Sequence, residues 1–288
     1  MVIDFRVRPP FRGFLNMGIF TKWANPETDP RKMGAFGMGR DPVPSCEQKS
    51  LDLWKAEMDE AQIEKCVVMG RKTKGTGIKA GNVLAEDLYD LANMFPDRVI
   101  PFAGIDPTEA DAYKEVEYAA TKLGFKGISI DPGWCEPCMY AEDERIMPVY
   151  ETASSLGLIV SITCSAVVGP DLTYSDPVTI QHVAKKFPDL KITVAHAAWP
   201  NVEKMLGVAM TCPNIYLIPD VYFYTDNMPF ADGYVTAANG YMKYRTLFAS
   251  TYPVGGFKQS IEKWSSKGLT EESLRLTLHD NAADLLGL

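Results

Sequence analysis

Residues 125–196 decide the fold. They read FKGISID at 125–131, LIVSITC at 158–164 and LKITVAH at 190–196, short apolar runs that begin 33 and then 32 residues apart. Each run is rich in β-branched residues and nearly continuous rather than alternating. That pattern belongs to a strand of a parallel sheet covered on both faces. Helical signatures fill the gaps. Asp143 to Leu156 reads as a helix stopped by Gly157, where glycine accepts the left-handed closing conformation. Ser175-Asp176-Pro177 opens the next, with proline just inside its start.

The same alternation extends outward in both directions. VIDFRV (2–7), KCVVMG (65–70), RVIPFAGI (98–105), NIYLIPDV (214–221) and YRTLFAS (244–250) bring the strand count to eight. Ser45 to Ile63 carries Leu51, Trp54, Met58 and Ile63 at helical spacing after a Ser45/Gln48 capping box. Eight βα units predict an α/β fold, a (β/α)8 TIM-type barrel built as one domain over 1–288. The rival is a doubly wound sheet. No Gly-x-Gly-x-x-Gly follows any strand, which argues against it and against a dinucleotide. Residues 9–44 are too long for an ordinary βα connection and follow the first strand. They are expected as an insertion at the barrel mouth, acting as a lid or a subunit contact.

Hydrophobic residues are 46% and charged residues 23% of the chain, and the net charge is −8. Disordered and fibrous classes are thereby excluded. So is a nucleic-acid partner, which needs a basic face. No apolar run approaches a membrane span. The opening MVIDFRVRPP is interrupted by Asp4, Arg6 and Arg8 and does not read as a leader. Six cysteines fall far below disulfide-scaffold density, so the cytoplasm is the expected compartment. Cys135 and Cys138 form a lone C-x-x-C in a loop, read as two loop thiols.

Several pieces in this order resemble the amidohydrolase superfamily, in its amidohydrolase-2 branch of aminocarboxymuconate-semialdehyde decarboxylase-like and pyrone-dicarboxylate lactonase-like enzymes. They are Val2-Ile-Asp-Phe, Gly124-Phe-Lys-Gly, Asp143-Glu-Arg, Pro148-Val-Tyr-Glu, Phe187-Pro-Asp-Leu-Lys and Ala195-His-Ala-Ala-Trp-Pro. Phe248-Ala-Ser-Thr-Tyr-Pro and the terminal Asn281-Ala-Ala-Asp-Leu-Leu-Gly-Leu complete the set. The resemblance implies a distorted (β/α)8 barrel and a homodimer or larger homo-oligomer. It also implies metal ligands that this chain mostly lacks. The first-strand Asp-x-His-x-His is matched by Arg6 and Arg8, the fifth-strand His by Thr163, and the eighth-strand Asp by Thr251. Only the sixth-strand His remains, as His196. Guanidinium groups are permanent cations and donate rather than coordinate. The expectation is therefore a site with no cofactor, a divalent metal being disfavoured.

Arg6 and Arg8 lie two apart on a strand and so share a face. They are candidates to clamp a carboxylate or an oxyanion, with Arg71 as a third positive group. A salt-bridge network with Asp4, Asp131 or Asp220 is the structural alternative. His196, at a strand end, is the candidate for proton transfer. Asp220 and Asp131, also at strand ends, could orient it, act as a base or pair with an arginine. Thr163 and Thr251 offer hydroxyls to a water or a substrate oxygen. Tyr222, Tyr224 and Trp134 are candidate walls. Alternation turns Cys164 away from Thr163, and His182 and His279 read as structural or exposed. Together these predict a metal-independent, amidohydrolase-like hydrolase, of the lactonase or ester-cleaving kind, acting on a small carboxylated substrate. A decarboxylase of the same family and a non-catalytic carboxylate-binding barrel are the alternatives.

Overall fold

The apolar runs pair in parallel and in sequence order. The computed structural model describes residues 1–20, 43–76 and 79–288. Its strands are β1 (Val2–Val7), β2 (Ile63–Met69), β3 (Lys72–Thr73), β4 (Gly81–Asn82), β5 (Val99–Gly104), β6 (Gly127–Ile130), β7 (Ile159–Thr163), β8 (Lys191–Ala195) and β9 (Ile215–Ile218). β3 and β4 form a small antiparallel hairpin, and the other seven run β1-β2-β5-β6-β7-β8-β9 in one sheet.

The expected eighth strand, 244–250, is not a regular strand. The segment closes the barrel through single parallel pairings, Leu217 with Thr246 and Val7 with Tyr252. Its amides are shared among unlike partners. Leu247 N–H donates to Leu217 O, Phe248 N–H to Thr277 O, and Ser250 N–H to the Asp4 carboxylate. A continuous ladder cannot form when a side chain and a distant helix take its donors. The result is still a curled parallel sheet wrapped by helices, a TIM-type α/β fold.

Two apolar layers follow from the strand period of two. Ile3, Phe5, Val67, Met69, Phe102, Ile159, Ile218, Leu247 and Ala249 fill the interior, closed by Ala282 and Leu285 of the last helix. Val68, Ile128, Val160, Ile192, Val194 and Leu217 face outward to the helices. Gly127 is required inside, because a Cβ there would sit 2.5 Å from the Phe102 ring.

The helix boundaries differ from expectation in one place. The Ser45–Ile63 stretch splits into helices Pro44–Gln48 and Leu51–Glu60, with Lys49 left-handed between them. The operative cap is Ser50, which accepts from Leu53 N–H, rather than the Ser45/Gln48 box. Elsewhere the signals hold. Asp143 caps a turn leading into helix Met147–Ser155, Gly157 follows at φ +67°, and Asp176 caps helix Pro177–Lys186. Of the 9–44 stretch, 21–42 lie outside the described residues. Its start folds onto the barrel, with Phe14 and Met17 buried and Arg12 paired with Asp90 at 2.6 Å.

Candidate active site

The candidate residues converge at the C-terminal ends of the strands, where barrel sites are built. Simple alternation would have brought Arg71, Asp131 and Thr163 there, but not the β1 arginines or His196. On β1, Ile3 and Phe5 face inward and Val7 outward. Arg6 nevertheless reaches Asp220 inside the mouth, Nη1 to Oδ2 at 3.5 Å. The change of phase falls where the β1–β2 register shifts, between Asp4 and Val7. An irregularity of this kind re-aims a side chain.

Asp4 faces the other way. It is fully buried and accepts from Arg6 N–H at 3.1 Å and Ser250 N–H at 3.1 Å. It ties the ends of β1 and the closing segment together. Burial pushes its pKa up to about 7, against the pull of those hydrogen bonds.

His196 and Asp220 form a buried pair. Nδ1–H of the imidazole donates to Asp220 Oδ1 at 2.9 Å, which assigns the lone pair to Nε2 in the neutral ring. Burial drives the His196 pKa below its usual value of 6.5, and Arg6 and Arg8 reinforce that against Asp220. Burial alone would raise the Asp220 pKa. His196, Arg6 and the Thr251 hydroxyl outweigh it, so the carboxylate is held below the usual range. Backbone strain marks these strand ends. His196 (φ +68°), Asp220 (φ +44°) and Thr251 (φ +55°) all sit in the left-handed region without being glycine. Such residues persist only where the surroundings hold them, and they concentrate at functional sites.

Asp131 has a different partner. Its Oδ2 accepts from Arg71 Nε at 3.1 Å, and the Arg71 guanidinium lies 4.0 Å over the Trp134 ring. Gly81 and Gly104 make room, because a Cβ on either would fall 2.5 Å from Arg71 atoms. Burial would raise the Asp131 pKa, but Arg71, Arg8 and the Thr163 hydroxyl hold it below the usual range.

Arg8 is the outlier. It is 3% exposed, its Nε has no hydrogen-bond partner, and among the described residues its guanidinium makes no ion pair. Burial pushes its pKa down, and so do Arg6 and Arg71 beside it. Among the described residues, Arg6 pairs with Asp220 and Arg71 with Asp131, which leaves Arg8 without a carboxylate partner. A buried cation left over in this way is costly, and a carboxylate is its natural complement.

An aromatic wall stands beside His196. The Tyr222 ring meets the imidazole edge-on at 5.5 Å and stacks on Trp199 at 4.7 Å. Burial pushes the Tyr222 phenol up to about 12. Trp199 and Gly81 were not singled out from sequence, because their roles depend on neighbours far along the chain, and Asp4, expected against an arginine side chain, holds backbone amides of Arg6 and Ser250. Tyr224 instead braces the closing segment through Ser250 O at 2.6 Å.

The remaining candidates fall outside the mouth. Cys164 packs in the outer layer with Sγ–H to Ser175 O at 3.3 Å, and burial pushes its thiol up to about 12. Cys135 is buried against Asp131 O, and both loop thiols are free. His182 pairs with Glu142 at the surface. His279 bridges Asp280 (2.8 Å) and Glu64 (3.1 Å) near the start of β2, the opposite end of the barrel. Among the described residues, no helix is long and apolar enough to cross a membrane.

Comparisons with known proteins agree with this architecture. A chain from Bordetella bronchiseptica, described as an uncharacterised TIM-barrel protein, is 33% identical, with a TM-score of 0.87 over 99% of this chain and 98% of that one. A 2,6-dihydroxybenzoate decarboxylase, solved with 2,6-dihydroxybenzoate, is 13% identical, with a TM-score of 0.71 over 100% and 99%. A dihydroxybenzoic acid decarboxylase from Polaromonas sp., with bound manganese and 2-nitroresorcinol, is 16% identical, with a TM-score of 0.71 over 100% and 97%. No curated protein matches the chain.

The manganese-bound neighbour corrects the expectation of a site without a cofactor, since solved structures of this fold hold a divalent cation. The donors described in this chain fit one poorly. Among the described residues, no three His, Cys, Asp or Glu side chains converge. The His196–Asp220 pair faces guanidinium rather than further ligands. The Amidohydrolase family profile matches residues 73–288, three quarters of the chain, and this chain belongs to that family.

Proposed function

We propose that this protein is a decarboxylase of small, carboxylated aromatic substrates. The observation that carries the reading is the buried guanidinium of Arg8, which makes no ion pair among the described residues and lies near the His196–Asp220 pair. Arg8, with Arg6 and Arg71 near it, binds the substrate carboxylate. The Tyr222–Trp199 stack flanks His196 and offers an apolar wall to a ring. The decarboxylase neighbours support the choice of reaction.

In the free protein His196 is held neutral by burial and by the arginines. A carboxylate docked on Arg8 offsets the arginines' share of that effect and, with Asp220, favours proton uptake by His196 on binding. The C–C bond to the carboxylate breaks, CO2 leaves, and the electron pair stays on the ring carbon. That carbon takes the proton from His196 Nε2, and solvent restores it. The neutral His196 of the free protein favours a second reading. Its Nε2 lone pair could act as a general base on water and open a lactone or ester.

The test is a panel of hydroxybenzoates assayed for CO2 release in D2O, beside anionic lactones followed by acid production. Stoichiometric CO2 with deuterium at the vacated ring carbon is the expected result. Lactone opening without CO2 would install the hydrolase. Saturable benzoate binding with neither product would leave a binding barrel.

A further inference from the structure

His196 should not face the barrel mouth. On β8, Ile192 and Val194 point outward into the helix layer, and the same period would send His196 after them. Three consecutive left-handed residues prevent this: His196 at φ +68°, Ala197 at +44° and Ala198 at +61°. None is glycine, and a run of this kind is disfavoured for L-residues. Something must hold it.

The exit of the turn is fixed by backbone. Ala198 N–H donates to Cys164 O at 2.9 Å, and Trp199 N–H to His196 O at 3.1 Å. The middle carbonyl is fixed by a side chain. Tyr234, on helix Ala231–Ala238, donates its phenol to Ala197 O at 2.9 Å. The phenol is 1% exposed and Ala197 is fully buried, so water cannot replace the bond. Burial also pushes the Tyr234 pKa well above the usual phenol value, which keeps it a donor.

We propose that Tyr234 is a positioning residue for His196: its phenol locks the left-handed turn that swings the imidazole into the mouth and onto Asp220. This rests on His196 moving the proton, but its test does not need turnover. The chain has three histidines, so imidazole 15N labelling gives three ring systems, and H196N assigns the relevant one. Wild-type protein should show one tautomer at His196, protonated at Nδ1, at pH 7.5. In Tyr234→Phe those signals should move toward a tautomer mixture, and the titration midpoint should move back toward the ordinary value near 6.5. With an active substrate, kcat should fall about 10- to 100-fold with little change in KM.

Ala197→Gly, added to Y234F, should restore the single tautomer, because glycine adopts the turn without help. Should Y234F fail to fold, Ala197→Val with Tyr234 intact reads the same turn, and a β-branched residue there should produce the same loss. Unchanged His196 signals in Y234F, or in A197V, would overturn the assignment. So would a shift in Y234F that A197G does not reverse, which would make Tyr234 a packing residue. The expected single tautomer in wild type and its loss in Y234F, with no substrate found, would refute the proposed reaction and leave the positioning role standing.

Discussion

Replacing Arg8 with methionine should stabilise the protein and weaken its ligand at once. The guanidinium is buried, its Nε is unpartnered, and two neighbouring guanidiniums repel it. Exchanging a buried, poorly compensated charge for an apolar side chain of similar length is worth about 1–3 kcal/mol in stability. At roughly 2 °C per kcal/mol for a chain of this size, Tm should rise by about 2–6 °C. The same exchange removes the partner of a buried carboxylate in the complex, which costs about 2–5 kcal/mol. At 1.4 kcal/mol per factor of ten, the benzoate Kd should rise at least ~30-fold. Thermal denaturation of the free protein and calorimetric titration with benzoate at pH 7 supply both numbers. A structural salt bridge predicts the reverse pattern. A lower Tm with an unchanged Kd would refute the reasoning.

Other residues give equally direct expectations. His196→Asn should cut kcat by about 10²–10⁴-fold while leaving benzoate binding within a few-fold, since asparagine tolerates the left-handed backbone there. A larger loss of binding than of turnover would contradict its role. Asp4 titrates near 7 in the folded state, because burial raises it from the usual 3.8. The folded protein then binds the extra proton, so this group's contribution to stability is lost as pH rises from about 4 to about 7. At 1.36 kcal/mol per pH unit the upper limit is about 4 kcal/mol. Asp4→Asn should therefore gain stability relative to wild type across that window in urea titrations, and a constant difference would contradict the assignment. Buried neutral His196 works in the opposite direction below pH 6.5. Its folded pKa is depressed, so acidification there costs stability, and H196N should soften that loss.

Strand ends were legible in the sequence because apolar runs stop where polar residues begin. Asp131, Asp220, His196 and the two first-strand arginines all stand at such boundaries. What could not be read was aim. Strict alternation put Arg6 and Arg8 on one face but gave no hint of the register shift that lets Arg6 follow inward-facing Phe5. His196 reaches the mouth through three left-handed residues, with sequence Ala197-Ala198 and no glycine to announce them. Partner choice was equally hidden. Asp131 takes Arg71 and Asp220 takes His196, a division set by tertiary proximity. Asp4 was expected against a guanidinium but holds a backbone amide of a distant segment, and Tyr234 escaped because it acts through a distant backbone carbonyl. The closing segment read as a strand from its composition, yet its donors are diverted to Asp4 and Thr277.

The barrel mouth is proposed here as a carboxylate site whose anion docks on Arg8, a buried guanidinium with no ion pair among the described residues. A crystal structure with 4-bromobenzoate, located by the anomalous signal of bromine, tests it most directly. Carboxylate oxygens within about 3 Å of the Arg8 guanidinium, with the ring between His196 and the barrel axis, are the predicted result. A ligand bound elsewhere, with Arg8 paired to a protein carboxylate, would contradict it.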